Sequence, residues 1–556
     1  MHRHHANRLQ FVTSTHIPGS SPASNAPRSA QFDQVVWLLI ALGIALRVWQ
    51  VAGGASLWLD EIALAQNIVE RGYAALLTPL AHAQVAPPGF LLAERFFWSL
   101  FHSDVSLRIV PLAGSIASLF FMRAVARRAL NGIAVPLAVG ALAVGLPHIV
   151  FAGQVKQYST DVTFALALVF LVARLFDSAE PPISRYVLAG VTGFVAVWFS
   201  NPAVLVVTGL GAALALLALQ GKITNRGRVI GCVLLPWIIG AGAASLIAMV
   251  TVSPATMAFM KEYWDNAFAP MPPRSLHELL WPWQALTGLF GMPWGFRYPL
   301  APVFVGLALV GFVLLWRTRR DLTILVLGPI FVTFAVAAVR VYPFEGRLVL
   351  YLTPFLLLAV AAAATGLATW IGARVPYVGA AVVLLVALAS IEPVIENRPT
   401  YRLQEMRGLL DWVSTQRRPG DVVFAWYRAA PNVSWYRERT GIAATDIVEG
   451  GCWLTEPRNF LRDLDKVRGR PRVWIVITGA SLPEGKLLLS YAGQIGVQGE
   501  GKSMPTSFPR YHVDAWLYDF SDATRLASAS AETFPVNLPR PATTEVMACS
   551  TFFGGR

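Results

Sequence analysis

Charge is what this chain has least of. Only 14% of its 556 residues are Asp, Glu, Lys or Arg, while 55% are apolar; soluble domains carry about 25% charged residues. With a mean hydropathy of +0.53, that scarcity excludes an ordinary water-soluble globule. The net charge of +13 is not gathered into one basic patch, which argues against a nucleic-acid partner. Metal-ligand spacing is missing as well: His82, His102, His148 and His277 form no His-x-x-x-His pair, so no zinc motif is expected. The apolar segments contain no Gly-rich phosphate loop, and no internal repeat is visible. Residues 1–33 lack both an apolar signal core and a cleavage site, and read as a disordered cytoplasmic tail ahead of an uncleaved anchor.

What the chain has in place of charge is long apolar runs. Eleven segments of spanning length, about 20 residues each, lie near 35–53, 106–127, 133–151, 162–178, 186–200, 202–219, 229–251, 300–316, 322–340, 348–370 and 376–391. The fifth and sixth meet at the helix-breaking Ser200-Asn201-Pro202. The expected organisation is a tail at 1–33, a polytopic helical membrane module at 34–391 and a soluble α/β domain at 392–556. Basic residues fall in alternate loops: Arg123, Arg127 and Arg128; Lys222, Arg226 and Arg228; Arg317, Arg319 and Arg320; and Arg374. Placing all of them inside by the positive-inside rule puts the N-terminus in the cytoplasm and the C-terminal domain outside. The loops carrying Asp60, Lys156, residues 252–299 and Arg340 to Arg347 then share that outer face.

Three clusters on this face are candidates for chemistry. The first is Asp60-Glu61, after Ser56-Leu57-Trp58-Leu59. Ionisable groups at membrane depth are kept there by partners or by function. One carboxylate suits general-base work on an acceptor hydroxyl, and its neighbour could raise its pKa or help hold a divalent cation; the alternative is a helix first turn that offsets the dipole. The second is Lys156-Gln157-Tyr158-Ser159-Thr160-Asp161, where Lys156 and Tyr158 offer donors to a phosphate, or serve as interfacial anchors. The third is Arg340 to Arg347, with two outward arginines suited to phosphate oxygens, and Glu345 free to pair with Arg347 at the surface. The loop at 252–299, with Tyr263-Trp264, Trp281-Pro282-Trp283 and Met292-Pro293-Trp294, reads either as a groove for a prenyl chain or as a plain aromatic belt.

Taken together, these features resemble the GT-C fold membrane glycosyltransferases that use polyprenyl-phosphate sugars. The nearest likeness is to the bacterial families related to protein O-mannosyltransferases, the lipid A aminoarabinose transferase and the rhizobial galacturonosyltransferases. Four motifs carry the resemblance, in order: Leu57-Trp58-Leu59-Asp60-Glu61, Ala86-Pro87-Pro88-Gly89-Phe90-Leu91-Leu92, Lys156 to Asp161, and Gly346-Arg347-Leu348. The resemblance spans most of residues 35–391. It implies inverting transfer of a sugar from a lipid phosphate to an acceptor hydroxyl of an envelope glycan, lipid or protein, in the bacterial cytoplasmic membrane. By position Asp60 would be the base and Glu61 would position it, the acceptor or a cation. Lys156, Tyr158, Arg340 and Arg347 would hold the lipid phosphate, and His82, Gln84, Gln157, Asp161 and Glu345 are further candidates for substrate contact. Some relatives carry a His before the Pro of the first-loop turn; here Gln84-Val85-Ala86 precede Pro87, with His82 further upstream.

Beyond Glu392, helix-like stretches at 400–418, 456–468 and 484–495 alternate with strand-like 421–426, 472–477 and 511–520, which predicts a small parallel α/β domain. It would recognise an acceptor or pack over the catalytic loops. Cys232 falls in an apolar segment. Cys452 and Cys549 both fall in this domain, where an oxidising compartment permits a bridge without requiring one. Two other functions remain open from sequence: a flippase or exporter of a lipid-linked glycan, and a non-catalytic membrane protein that binds envelope glycan.

Overall fold

The computed structural model describes residues 26–291, 295–296, 300–397, 401–507 and 512–553. Among these, eight helices are long and apolar enough to cross a bilayer: Gln31–Ala52, Ser106–Ala129, Tyr158–Phe176, Arg226–Thr251, Leu300–Thr318, Arg320–Ala338, Gly346–Gly372 and Tyr377–Glu396. A pair bent by 52°, Ala134–Val144 with Leu146–Gly153, makes a ninth candidate, and the shorter apolar helices Ile183–Phe199 and Ala203–Leu219 complete the eleven expected segments. The protein is a polytopic helical membrane protein with a C-terminal α/β sheet region. The N-terminal half runs α1 (Ala26–Ala52), α2 (Leu59–Glu70), α3 (Pro88–Phe101), α4 (Ile109–Ala129), α5 (Ala134–Val144), α6 (Leu146–Val150), α7 (Tyr158–Ala173), α8 (Ile183–Phe199) and α9 (Ala203–Leu219). Residues 26–33 of the expected tail are therefore helical; the rest of that tail lies outside the described residues.

Ion pairs gather the basic helix ends at one end of the bundle. Asp33 meets Arg123 and Arg127 at 2.9 and 3.3 Å, Asp177 meets Arg128 and Arg185 at 2.7 and 3.7 Å, and Lys222 approaches Asp321 at 3.9 Å. Small residues let the helices close up: a Cβ on Gly209 of α9 would collide with the backbone at Gly328-Pro329, the backbone-to-backbone packing that substitutes for hydrophobic driving force inside lipid.

One charge lies within the first of the long apolar runs. Arg47 of α1 is fully buried and donates to Ser115 Oγ at 2.7 Å, to the Gly43 and Ala143 carbonyls at 2.9 Å each, and to the Leu142 carbonyl at 3.1 Å. Leu142 and Ala143 belong to the last turn of α5, whose carbonyls lose helical partners at the bend after Val144. Arg47 supplies those partners and so caps a broken helix.

The C-terminal domain has a five-stranded sheet ordered β2-β1-β3-β5-β4, from β1 (Val422–Ala425), β2 (Ile447–Glu449), β3 (Val473–Thr478), β4 (Val497–Met504) and β5 (Val513–Asp519). β1 pairs in parallel with β2 and β3, but β5 runs antiparallel to both β3 and β4. The sheet is thus mixed, a correction to the parallel expectation: β4 and β5 follow each other in the chain and pair directly, with no helical crossover to make them parallel. All six residues of β3 are buried, which fits a central strand covered on both faces.

Cys452 and Cys549 form a disulfide across 97 residues, with Cα atoms 5.6 Å apart. It ties the last described helix, Thr543–Phe552, to the loop after β2. Closing so large a loop is worth about 2–5 kcal/mol. Cys549→Ser is therefore expected to lower the melting temperature of the purified protein, and a reductant is expected to lower that of the wild type towards the same value. Equal melting of wild type and variant in oxidising buffer would show that the bridge adds no stability.

Candidate active site

The site forms where α2, the turn before α3, the loop before α7 and the start of the segment Gly346–Gly372 meet. Asp60 lies in the first turn of α2. Its Oδ1 accepts from Lys156 Nζ at 3.0 Å and its Oδ2 pairs with the Arg347 guanidinium at 2.8 Å. Lys156 also donates to Gln84 Oε1 at 2.7 Å, while Gln84 Nε2 reaches Asp60 Oδ1 at 3.5 Å and the His82 carbonyl at 3.2 Å. The three charged side chains are 17%, 7% and 24% exposed for Asp60, Lys156 and Arg347, so water screens them little. Burial pushes the Asp60 carboxyl up, but the Lys156 and Arg347 charges outweigh it and hold the group well below the usual carboxylate range. Burial draws the Lys156 ammonium below its ordinary value, with Asp60 pulling the other way.

Glu61 faces elsewhere. Its Oε1 accepts from the Val155 amide at 2.8 Å and its Oε2 from the Trp58 amide at 3.3 Å, and it is 3% exposed. Burial raises its pKa, opposed by Arg108 and by those two amides. Holding Val155 fixes the position of the adjacent Lys156. Because Asp60 and Glu61 send their oxygens to separate, already donating partners, the pair does not fit the divalent-cation site that was a candidate. Among the described residues no three His, Cys, Asp or Glu side chains gather in a way that could hold a metal ion.

Local backbone explains how Gln84 comes to the cluster. His82 and Ala83 both adopt left-handed conformations, with φ of 59° and 48°, each costing roughly 1–2 kcal/mol for a residue with a Cβ. That kink turns the chain inward before Pro87-Pro88-Gly89. At Gly89 a Cβ would lie 2.7 Å from the Trp198 carbonyl oxygen, so only glycine lets α3 start against the end of α8. His82 is half-buried, and burial lowers its pKa.

Arg347 lies over two rings, with its guanidinium 5.7 Å from Trp58 and 5.5 Å from Tyr158, the stacked setting that suits arginine. Tyr158 in turn packs edge-on against Phe151 at 5.1 Å. The Tyr263 phenol, at the end of helix Pro254–Tyr263, lies within electrostatic range of both Tyr158 and Arg347. Tyr263 was read from sequence only as part of an aromatic loop. Gln157, at the N-cap of α7, and Asp161, in its first turn, are buried beside the cluster, with Gln157 Oε1 and Asp161 Oδ1 unpartnered among the described residues.

The remaining candidates lie apart. Arg340 pairs with Asp265 and covers the Phe268 ring at 4.9 Å; both members of that pair are about half exposed. Glu345 is exposed, and Arg347 takes Asp60 as its carboxylate partner. In the 252–299 loop Trp281 packs edge-on against Phe334 and Phe344 at 5.9 and 6.1 Å, while Met292-Pro293-Trp294 lies outside the described residues.

No protein-family profile and no curated protein matches the sequence. Among solved structures, the chain is similar to ArnT from Cupriavidus metallidurans bound to undecaprenyl phosphate, at 10% identity and a TM-score of 0.49, over 90% of this chain and 99% of that one. The apo state of that ArnT aligns at 12% identity and a TM-score of 0.49, over 89% and 99%. The oligosaccharyltransferase AglB from Archaeoglobus fulgidus, in complex with an inhibitory peptide and a dolichol-phosphate, aligns at 12% identity and a TM-score of 0.47, over 91% and 75%.

Proposed function

We propose that this protein is an inverting glycosyltransferase that moves a sugar from a polyprenyl-phosphate donor to an acceptor hydroxyl at the outer face of the bacterial cytoplasmic membrane. One observation carries the reading: a single carboxylate held between two cations, the buried Lys156 and the partly buried Arg347, where helical segments of spanning length meet the α/β domain. Two cations in a poorly screened site suit a phosphate that gains charge as it leaves. The carboxylate between them suits the proton that the acceptor must lose. An envelope glycan, lipid or protein would supply that hydroxyl, and membrane lipid surrounds the donor's chain.

The reaction then proceeds as one displacement. The acceptor oxygen bonds to the anomeric carbon while the bond from that carbon to the phosphate oxygen breaks, its electron pair passing to the phosphate. Asp60 receives the acceptor's proton. In the donor-free state Asp60 occupies both cations; an incoming phosphate competes for Lys156 and Arg347, and so frees the carboxylate to act as a base. Arg347 suits bidentate contact with phosphate oxygens. Glu61, through Val155, keeps Lys156 in place. The disulfide supports an extracytoplasmic position for the α/β domain, since such bridges persist in oxidising compartments. The basic ends clustered at the far end of the bundle support a cytoplasmic position for that end.

The test is transfer by the full chain in nanodiscs from a panel of polyprenyl-phosphate sugars. Asp60→Asn is expected to lose about 10²–10⁴-fold in kcat, the range for a positioned acid–base group; wild-type rates in a folded Asp60→Asn protein would remove the base from Asp60. The pH profile follows with its sign. Asp60 acts ionised, so activity falls as pH drops through its pKa. That pKa is depressed in the free enzyme and rises once the phosphate draws the cations away. The acid limb of kcat should therefore lie at higher pH than the acid limb of kcat/KM for the donor. Coincident limbs would contradict the exchange of partners.

A further inference from the structure

Helix α2 supplies only part of its own cap, with Glu61 Oε2 accepting from the Trp58 amide at 3.3 Å. Its N-cap position is Trp58, which makes no side-chain cap hydrogen bond, although a helix start leaves several amides in need of acceptors. A further acceptor comes from elsewhere in the chain: Gln404 Oε1 accepts from the Leu59 amide at 2.8 Å, one residue before Asp60. The neighbouring residue repeats the pattern, with Glu405 Oε1 accepting from the Ser56 amide at 3.0 Å. Both side chains are buried, at 2% and 5% exposure.

The same strip is fastened along its length. Tyr436 Oη accepts from the Leu57 amide at 2.7 Å and Asn432 Nδ2 donates to the Leu57 carbonyl at 3.1 Å. The Arg407 amide donates to Ser56 Oγ at 3.0 Å, and its guanidinium reaches the Gly54 carbonyl. Gln50, near the end of α1, exchanges two hydrogen bonds with the Tyr401 backbone at 3.0 and 2.9 Å. Residues more than 340 positions later in the chain thus bind the backbone that leads into Asp60.

We propose that Gln404, with Glu405 beside it, is a positioning residue that caps the Asp60-bearing helix from the C-terminal domain. The domain thereby completes the catalytic loop from outside the membrane module. Asp60 stands at the second position of α2, so a frayed first turn would move its carboxylate relative to Lys156 and Arg347, which are fixed by other elements. Displacements near 1 Å at such a site cost on the order of 10²-fold in rate. The inference rests on the transferase reading for its kinetic consequence and on hydrogen bonding alone for its structural one.

The test compares Gln404→Leu, similar in size without an acceptor, with Gln404→Glu, which keeps one, all in the full chain in nanodiscs. Gln404→Leu is expected to lower kcat on the order of 10–100-fold with the donor KM within about twofold, and Gln404→Glu to restore most of it. Hydrogen exchange read by mass spectrometry should speed up in the peptide covering 56–62, while the β3 peptide stays protected. Unchanged exchange in 56–62 would overturn the cap, and faster exchange with wild-type kcat would overturn the positioning role. A loss of kcat without faster exchange would place Gln404 on the substrate, which also overturns the proposal. If the wild type transfers no sugar, the transferase reading fails, while the exchange measurement still decides the cap. Should Gln404→Leu not accumulate, Gln404→Asn, which withdraws the amide by one methylene, replaces it.

Discussion

One carboxylate joins three distant parts of the chain. Asp60 binds Lys156, 96 residues later, and Arg347, nearly three hundred residues later. Each partner starts or precedes a different membrane segment, so the ion-paired triad fixes where α2, α7 and the segment Gly346–Gly372 sit relative to one another. Such a triad is costly to desolvate and is retained where geometry matters more than stability. Removing Asp60 leaves two cations without their shared counter-charge in a poorly screened place, whereas removing either cation leaves a single ion pair. The surrounding features serve the same geometry: Glu61 holds the Lys156 loop, Gln84 bridges Lys156 and Asp60, and the Trp58 and Tyr158 rings flank Arg347.

The two halves of the protein are not independent at this site. The turn from α1 into α2 has few backbone bonds of its own, and the α/β domain supplies them through Gln404, Glu405, Asn432 and Tyr436. A module first read as an acceptor-recognition domain or a cover thus acts at least as a template for the loop beneath it. The disulfide secures another edge of the same domain, where Phe552 packs edge-on against Phe259 of the helix Pro254–Tyr263 at 5.7 Å.

Much of this was legible from sequence because it is written in runs. Eleven apolar stretches map one to one onto helical segments, and the buried strands β1, β3 and β5 show as unbroken apolar or alternating runs. β2 was missed because it is three residues long, and β4 because Val497-Gln498-Gly499-Glu500-Gly501-Lys502-Ser503-Met504 is an exposed, polar edge strand without the periodicity of a half-buried one. The convergence of Asp60, Lys156 and Arg347 on one end was read from the alternation of basic loops. Which arginine meets Asp60 was not, since Arg340 and Arg347 flank one short turn and only the fold turns one to Asp265 and the other to the cluster. Arg47 left no pattern, because its role depends on a helix bend that apolar composition hides. Gln404 and Glu405 look like ordinary surface residues in sequence; their function exists only in contact with a backbone far away in the chain.

The central claim is that Asp60 occupies the cations that a phosphate would take. Binding of polyprenyl phosphate to purified wild type and Asp60→Asn tests this directly, by titration in detergent at fixed salt and neutral pH. Freed of its internal competitor, Asp60→Asn should bind the lipid phosphate more tightly, by about tenfold, a gain of about 1.4 kcal/mol. Equal or weaker binding by a folded Asp60→Asn protein would mean that Lys156 and Arg347 exist to hold Asp60 and not to receive a phosphate.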